Sequence, residues 1–256
     1  MTNQFGSVYS KYYDLLYKDK NYKLEIEYVL KILNNNNFKD FSSLLDLGCG
    51  TGKHLNLLSP SFQKCTGIDI SHGMIDRAIS ESKNINNIDY MVSDISNYNI
   101  EERYSCIVSL FHVFSYLVTD LQVNAFFENA SKHSKKGAFL FFDYYNHDGL
   151  MNDRPSNRVK VVENEEIKVH REAKPSLDIS KRILTIEFDI NLTDKNSNNE
   201  EHFFNESHSM RFFKQDEIES TALKFGFELI SHYKWLETEV PDIDAWYACS
   251  LFKSLN

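Results

Sequence analysis

The sequence is poor in cysteine and proline and has no long apolar run. Its four cysteines form no Cys-x-x-Cys pair, and three of them lie in or beside apolar segments, so we expect reduced core thiols. Reduced thiols are typical of cytosolic proteins. No apolar run approaches the ~18 residues of a membrane span, and the N-terminus is polar, so we expect neither a membrane span nor a signal peptide. These features predict a cytoplasmic protein.

The chain also has fewer basic than acidic residues. The formal net charge is −9 at pH 7 and the pI is near 5.5, whereas binding to a phosphate backbone requires clustered Lys and Arg. We therefore expect a small-molecule substrate and no nucleic acid. The chain has 256 residues, of which 42% are hydrophobic and 14% aromatic. This is enough for the core of one α/β domain with an insertion.

A glycine-rich turn follows the first apolar strand. Leu44 to Leu47 is an apolar run interrupted by Asp46, which is typical of a buried parallel strand. Gly48, Gly50 and Gly52 come next, and a helix follows them. Glycine has no Cβ and accepts positive φ, so a ligand can lie against the backbone amides at the helix N-terminus. The spacing G-x-G-x-G differs from the G-x-G-x-x-G of dinucleotide folds and indicates another nucleotide-type cofactor.

Acidic residues lie at the ends of the next two strands. Asp69 is at the tip of the predicted strand Cys65–Ile70, 17 positions beyond Gly52, where a carboxylate can accept both ribose hydroxyls of an adenosine. Asp94 follows the third strand, Ile88–Val92, and can receive the adenine amino group. Alone, Asp94 would be interpreted as a loop acid. Its place after the third strand favours a ligand contact.

A histidine follows the fourth strand, Ser105 to Phe111. Ligands of open parallel sheets lie beyond the carboxyl ends of the strands, so His112 should face the reactive end of the cofactor. A lone histidine is usually structural. At this position we expect His112 to line the substrate pocket as a general base or a hydrogen-bond partner.

The alternation of strands and helices stops after the fifth strand, Ala138 to Phe142. Three segments with two-residue periodicity follow, which predicts an antiparallel sheet inserted into the core as a cap over the cofactor or a dimer surface. The predicted strands are 157–171, 182–192 and 201–213, and the predicted turns are Lys174–Ser176 and Thr193–Asn199. The predicted domains are a core of residues 1–143 and 214–256, with an aromatic N-terminal helical segment, and an insertion of residues 144–213.

These motifs together resemble a known family. The chain is similar to the class I S-adenosylmethionine-dependent methyltransferases that modify nucleotide-linked amino sugars and other surface-polysaccharide precursors. The resemblance implies an α/β fold with a Rossmann-like, seven-stranded, mostly parallel sheet and an inserted antiparallel sheet after strand five. The similar segments are the Y-D-x-x-Y of Tyr13, Asp14 and Tyr17, the D-x-G-x-G-x-G turn, and residues 111–117, 148–162 and 210–227.

The resemblance also implies roles for individual residues, and no metal ligand is among them. The implied cofactor is S-adenosyl-L-methionine, and the implied product of the cofactor is S-adenosyl-L-homocysteine. The residues expected at the cofactor are Tyr13, Asp46, Gly48, Cys49, Gly50, Gly52, Asp69, Ile70, Asp94, Ile95 and Leu110. Those expected at the substrate are Phe5, His112, Tyr116, Tyr144, Tyr145 and Arg171, and those expected to be catalytic are His112, Tyr116 and Tyr13.

The resemblance predicts methyl transfer to the amine of a nucleotide-linked amino sugar. The absence of a D/N-P-P-Y motif at residues 111–117 argues against methylation of adenine or of glutamine amides. The characterised sugar dimethyltransferases carry histidine where this chain has Tyr116, serine where it has His112, and E-P-W-W where it has residues 143–146. The alternatives are an O-methyltransferase acting on a sugar hydroxyl or on a phosphoryl or phosphoramidate oxygen of a capsule precursor, and a non-catalytic cofactor-binding subunit. We expect a monomer or a homodimer formed through the inserted sheet.

Overall fold

A computed structural model describes residues 12, 13 and 15–256, and the expected substrate residue Phe5 lies outside this part of the chain. The order of elements alternates strands and helices up to the fifth strand, as predicted. The first part comprises α1 (Tyr22–Asn35), β1 (Ser43–Leu47), α2 (Lys53–Leu58), β2 (Lys64–Asp69), α3 (His72–Glu81), β3 (Ile88–Val92), β4 (Tyr104–Ser109), a 3-10 helix (Val113–Tyr116), α4 (Asp120–Lys132) and β5 (Ser134–Asn146).

The chain after β5 makes an excursion and then returns to the core. The excursion comprises α5 (His147–Asn152), β6 (Arg158–Glu163), β7 (Ile167–Asp178), β8 (Ile183–Asp194) and β9 (Glu200–Phe213). The return comprises α6 (Gln215–Lys224), β10 (Phe227–Lys234) and β11 (Tyr247–Ser254).

The core sheet has the order β3-β2-β1-β4-β5-β11-β10. The first five strands are parallel, whereas β11 runs antiparallel to β5 and β10 antiparallel to β11. Strand β5 continues past the end of β4, and its last two residues, Tyr145 and Asn146, pair with the end of β9. Strand β5 therefore belongs to the core sheet and, through its last two residues, also pairs with the inserted sheet. The α/β fold with a mostly parallel sheet and antiparallel additions is confirmed.

The inserted sheet has four antiparallel strands in the order β9-β8-β7-β6. The prediction of a single strand over 157–171 is wrong, because the polar residues 164–166 form a turn that divides this segment into β6 and β7. The predicted turn at Lys174–Ser176 is also wrong. Pro175 lies within β7 opposite Ile186, beyond the end of β6, where β7 is an edge strand and tolerates a proline. The turn falls after Asp178 instead.

The core sheet is covered on both faces. Strand β5 contributes apolar side chains to both faces, because alternate side chains point to opposite faces of a strand. Leu140 and Phe142 pack towards α4 and α6, whereas Phe139 and Phe141 pack towards α1 and α2. A third cluster joins Tyr12 and Leu16 to the inner face of the inserted sheet. Within the described residues, no helix is long and apolar enough to cross a membrane.

Candidate active site

A cavity of about 490 Å³ lies at the carboxyl ends of the parallel strands, between the core and the inserted sheet. The glycine turn after β1 and the residues that follow β2, β3 and β4 form one end of it, which we call the cofactor end. Side chains from the inserted sheet, the 3-10 helix and the end of β5 form the other, which we call the acceptor end.

Two glycines of the turn meet different surroundings. Gly48 has φ of 80°, and a Cβ there would lie 2.4 Å from Cγ1 of Val113, so packing excludes a side chain. Gly50 has φ of 55°, and a Cβ there would meet no atom within 4 Å. The backbone at Gly50 therefore borders open space that a ligand can fill. The turn is held by the N–H groups of Gly48 and Cys49, which both donate to the carbonyl oxygen of Ile68, at 2.8 and 2.9 Å.

Asp69 is held against the glycine turn. Its Oδ2 accepts a hydrogen bond from the N–H of Gly50 and its Oδ1 one from the N–H of Ser71, both at 2.9 Å. Burial raises the pKa of Asp69, and these two N–H donors oppose the rise. Each carboxylate oxygen has two lone pairs, so the arrangement fixes the carboxylate and leaves it able to accept ribose hydroxyls.

The other residues expected at the cofactor divide into those that line the cavity and those that do not. Asp94 is exposed at the mouth of the cavity, and its Oδ1 accepts hydrogen bonds from the N–H and the hydroxyl of Ser96, at 2.8 and 2.7 Å. The expected residues that line the cavity are Tyr13, Gly48, Cys49, Gly50, Asp69, Ile70, Asp94, Ile95 and Leu110.

Asp46 and Gly52 do not line the cavity, which corrects their expected contact with the cofactor. Asp46 lies inside β1 and is only 2% exposed. Burial, together with the negative charge of Asp69, raises its pKa to about 8. At Gly52 a Cβ would lie 2.5 Å from the hydroxyl of Tyr90, and φ is 78°. Gly52 stabilises the turn through its N–H, which donates to the carbonyl oxygen of Cys49 at 2.9 Å.

His112 lies beside a fully buried carboxylate at the junction of the two ends. The Oδ1 and Oδ2 of Asp143 accept the backbone N–H of His112 at 3.0 and 3.1 Å. The ring Nδ1 lies 2.8 Å from Oδ2, at an angle that makes this an electrostatic contact rather than a hydrogen bond. The ring also stacks on Tyr247 at 4.3 Å. The carboxylate and the stacking fix the imidazole in the cavity wall.

The backbone at His112 is strained. Phe111 and His112 have φ of 69° and 61°, and non-glycine residues held in this region cost of order 1–3 kcal/mol each. The Asp143 contacts stabilise the conformation, and the hydroxyl of Ser115 accepts the N–H of Tyr145 at 3.0 Å, which ties the 3-10 helix to β5. Such strain is typical of functional segments, because surrounding structure must maintain it.

Tyr145 and Tyr144 point to opposite faces of β5. Tyr145 lines the cavity, with its ring 5.0 Å from that of His112. Tyr144 is fully buried in the core between Phe114 and Phe213. The expected substrate contact of Tyr144 is therefore corrected, because the two-residue alternation of the strand lets only one of two successive tyrosines face the cavity.

Aromatic residues of the N-terminal segment cover the cavity. Tyr13 and Tyr17 both line it, with ring centroids 4.8 Å apart. Tyr17 also meets the ring of Phe111 edge-on at 5.1 Å. These contacts connect the segment to the strained turn after β4.

Tyr116 and Arg171, both expected at the substrate, lie at the acceptor end. The hydroxyl of Tyr116 is 2.7 Å from Nδ1 of His208, a residue of β9. The guanidinium of Arg171, from β7, lies 4.5 Å over the ring of Phe188. Its Nε is buried and has no hydrogen-bond partner, and among the described residues no carboxylate lies within ion-pair distance of it. Arg171 is therefore a cation that a ligand anion would satisfy.

Several residues of the site were missed by the sequence analysis. Asp143 falls inside β5, because that strand runs four residues further than predicted. His208 and Glu206 lie on the cavity side of β9, together with Met210, at the spacing of two that one face of a strand requires. That periodicity was the available signal. A further missed contact joins α2 to α1, where Nε2 of His54 lies 2.6 Å from Oε2 of Glu25.

Glu25 of α1 is buried beside His54, a residue that lines the cofactor end. Burial alone would raise its pKa, but hydrogen bonds and charges from His54 and Lys20 outweigh burial, so the pKa of Glu25 lies below its ordinary value. The Lys20 ammonium also lies 4.2 Å from the ring centroid of Phe111. A charged cluster therefore connects α1, α2 and the turn after β4.

The cofactor end fits an adenosine-bearing ligand. Gly50 gives an open backbone surface, Asp69 an oriented carboxylate and Asp94 an acceptor at the mouth. No group of three His, Cys, Asp or Glu side chains in the described part of the chain is arranged to hold a metal ion. A family model described as a methyltransferase domain matches residues 19–232. The chain belongs to this methyltransferase family. It is an S-adenosylmethionine-dependent methyltransferase, and the predicted enzyme class and cofactor are confirmed.

Relatives of this methyltransferase include sugar N-methyltransferases. The dTDP-3-amino-3,4,6-trideoxy-alpha-D-glucopyranose N,N-dimethyltransferase of Streptomyces venezuelae is 27% identical over 130 residues, which are 50% of this chain and 53% of that protein. The chain thus spans about half the length of the curated relatives it matches.

Two solved structures share the fold over almost their whole length. One is an S-adenosylmethionine-dependent methyltransferase from Clostridium acetobutylicum, with a TM-score of 0.79, 21% identity, and coverage of 96% of this chain and 97% of that one. The other is SAM-bound CalS10, an amino pentose methyltransferase from Micromonospora echinaspora, with a TM-score of 0.73, 18% identity and 99% coverage of both chains. At these identities the likeness concerns the fold.

Proposed function

We propose that this methyltransferase transfers a methyl group to the amine of a nucleotide-linked amino sugar in surface-polysaccharide biosynthesis. Relatives that act on dTDP-amino sugars support the acceptor class. The observation that carries the proposal is Arg171 at the acceptor end, a half-buried cation with a buried Nε and no carboxylate partner among the described residues. A guanidinium suits the diphosphate of a nucleotide-linked sugar, because its planar donors match phosphate oxygens in pairs.

The cofactor supplies a methyl group that its sulfonium already activates. The protein's task is then to hold the acceptor nitrogen in line with that methyl group, and orientation of this kind can contribute ~7–11 kcal/mol to lowering a barrier. In the proposed arrangement Gly50, Asp69 and Asp94 hold the adenosine. Tyr13, His112 and Tyr145 border the reacting atoms, and the insertion of residues 144–213, which contains the inserted sheet, acts as the cap that excludes water.

The test is a turnover assay that detects S-adenosylhomocysteine. The acceptor panel contains dTDP-3-amino-3,4,6-trideoxy-alpha-D-glucopyranose, its analogue with a hydroxyl in place of the amine, the free amino sugar and a malonyl thioester. We expect turnover with the nucleotide-linked amine and much less with the free amino sugar, because only the former meets Arg171. Turnover with the hydroxyl analogue but not with the amine would contradict N-methylation.

A second candidate is O-methylation of a sugar hydroxyl or of a phosphoryl or phosphoramidate oxygen. The observation that favours it is the pair formed by His112 and Asp143, because a hydroxyl acceptor benefits from a general base more than a neutral amine does. The hydroxyl analogue in the same panel separates the two candidates.

A further inference from the structure

The inserted sheet contributes a second imidazole to the cavity, opposite His112. His208 is only 3% exposed. Its Nδ1 lies 2.7 Å from the hydroxyl oxygen of Tyr116, and its Nε2 lies 3.5 Å from Oε2 of Glu206. The other oxygen of Glu206 accepts the hydroxyl hydrogen of Tyr12. A phenol, an imidazole and a carboxylate thus form one hydrogen-bonded series from the cavity into the inserted sheet.

We propose that Tyr116, His208 and Glu206 form a relay that removes the proton from the acceptor amine. The proposal rests on the proposed N-methyltransferase function and deepens it. Tyr116 lines the cavity and is the member that touches the acceptor. His208 and Glu206 act through Tyr116 and are positioning residues.

The proton transfer is balanced without any added reactant. An acceptor ammonium loses its N–H proton to the oxygen of Tyr116 while the phenol passes its own proton to Nδ1 of His208. One acceptor N–H bond and one phenol O–H bond break, and a new phenol O–H bond and an imidazole N–H bond form. The positive charge moves from the acceptor to the imidazolium, beside the carboxylate of Glu206. The nitrogen lone pair is then available to attack the methyl group.

The surroundings favour this concerted route over a tyrosinate. Burial raises the pKa of Tyr116, and Tyr17, Glu206 and Asp69 raise it further, whereas Arg171 lowers it. A free tyrosinate is therefore disfavoured, but the relay never forms one. The apolar ring of Phe188 from β8 packs on His208 at 5.3 Å. Arg171 from β7 opposes the imidazolium and Glu206 from β9 favours it. Burial and the hydrogen bond to Glu206 raise the pKa of Tyr12, so its phenol stays protonated beside Glu206.

The relay assigns different tasks to the two histidines. His112 contacts Asp143 through Nδ1 and stacks on Tyr247 at the junction of the two ends, so it orients the acceptor. His208 is linked through Tyr116 to the acceptor end and takes the proton. The relay therefore predicts that the acid limb of the pH–rate profile reports His208.

The decisive variant is His208→Asn. The asparagine amide can occupy the place of Nδ1 and accept the Tyr116 hydroxyl, but it cannot take a proton. With dTDP-3-amino-3,4,6-trideoxy-alpha-D-glucopyranose as the probe, we expect kcat to fall about 10²-fold or more, as for loss of a general base, and the acid limb to disappear. KM and the affinity for S-adenosylhomocysteine should stay within about threefold. His170→Asn, an exposed position on β7, is the matched control and should behave as the unaltered enzyme.

Two further variants test the same series. Glu206→Gln removes the charge that favours the imidazolium, so the acid limb should move to lower pH, and Tyr116→Phe should lower kcat as His208→Asn does. Unaltered kcat and an unaltered acid limb in His208→Asn would overturn the relay.

A binding measurement separates failure of the relay from failure of the proposed function. Nitrogen NMR of isotope-labelled histidine in the S-adenosylhomocysteine complex follows the titration of His208 without any acceptor. The relay predicts that Glu206→Gln lowers its titration midpoint and that Tyr116→Phe alters its Nδ1 signal. Absence of both changes refutes the relay, whereas an unaltered enzyme that fails to methylate any amine refutes the proposed function.

Discussion

The two ends of the cavity are built from different kinds of structure. The cofactor end consists of residues directly after β1, β2, β3 and β4, so its members meet because parallel strands end at the same edge of a sheet. The acceptor end brings together the 3-10 helix, the end of β5 and three strands of the insertion, which are separated along the chain. The first end depends on local turns, whereas the second depends on the register of long antiparallel strands.

This difference means that the two ends can change separately. A glycine turn and a carboxylate at a strand end hold an adenosine whatever follows in the sequence. The side chains opposite them are set by which residues of β7, β8 and β9 face inward. Under the proposed function, the core therefore retains the cofactor while substitutions in the insertion select the acceptor. Four measurements, in order of decreasing effect, test this separation.

The sheet that both ends share should lose stability in acid through His232. Burial lowers its pKa from 6.5 to about 4. The unfolded chain therefore binds a proton at His232 that the folded chain does not, so the contribution of His232 to the free energy of unfolding falls by about 3 kcal/mol as the pH drops from 6.5 to about 4. The buried Asp46, whose pKa is raised to about 8, contributes a slope of opposite sign that is common to the unaltered protein and its variants. Urea unfolding across this range measures the slope.

The His232 contribution is the difference in slope between the unaltered protein and the variant His232→Asn, whereas the exposed His170→Asn should leave the slope unchanged. An equal slope in His232→Asn and the unaltered protein would contradict the assignment. The measurement also defines the pH range in which a loss of turnover reflects the chemical step rather than unfolding of the protein.

The junction of the two ends should respond to His112→Ala. Loss of the ring misplaces the acceptor, and an error of ~1 Å can cost about 10²-fold in rate. We expect kcat to fall by about that factor, with the affinity for S-adenosylmethionine intact and the acid limb at its original pH. Steady-state pH profiles and calorimetry measure these quantities. An acid limb that vanishes in His112→Ala would transfer the role of base to His112, and an unaltered rate would leave His112 a packing residue.

The cofactor end alone should respond to Asp69→Ala. The variant leaves ribose hydroxyls and the N–H groups of Gly50 and Ser71 without their acceptor, at a cost of about 1–3 kcal/mol in binding. Calorimetry with S-adenosylhomocysteine should show this loss. The control Asp148→Ala changes an exposed acid of α5 and should bind normally. Unchanged affinity in Asp69→Ala would disprove the assignment to ribose.

The acceptor end alone should respond to Arg171→Met. Methionine keeps much of the apolar contact with Phe188 but removes the charge, so KM for a nucleotide-linked acceptor should rise about tenfold, with cofactor affinity unaltered. Steady-state kinetics with the dTDP-linked amine and with the free amino sugar measure this effect. The rise should occur only for the former, and equal rises for both would show that Arg171 does not meet the diphosphate.

Sequence reasoning predicted the positions of features that depend on local order. The glycine turn and Asp69 each follow a recognisable strand, and the fold class followed from the alternation of strands and helices. It failed at Asp46 and Tyr144, because a motif does not say which face of a strand a side chain takes. His208 escaped notice because its role depends on Tyr116, 92 positions away along the chain. The homodimer through the inserted sheet and the cytoplasmic location stay predictions.

The continuation of β5 past β4 has a consequence for how the pocket can be resized. Each residue added to a strand advances it by about 3.4 Å and turns the next side chain to the other face. A one-residue lengthening before Asp143 would bring Tyr144 into the cavity and bury Tyr145. A two-residue lengthening would keep the facing residues and move the far wall outward by about 7 Å. The length of β5 thus sets the length of the cavity in discrete steps. A cavity for a longer acceptor would require β5 to be lengthened by two residues at a time.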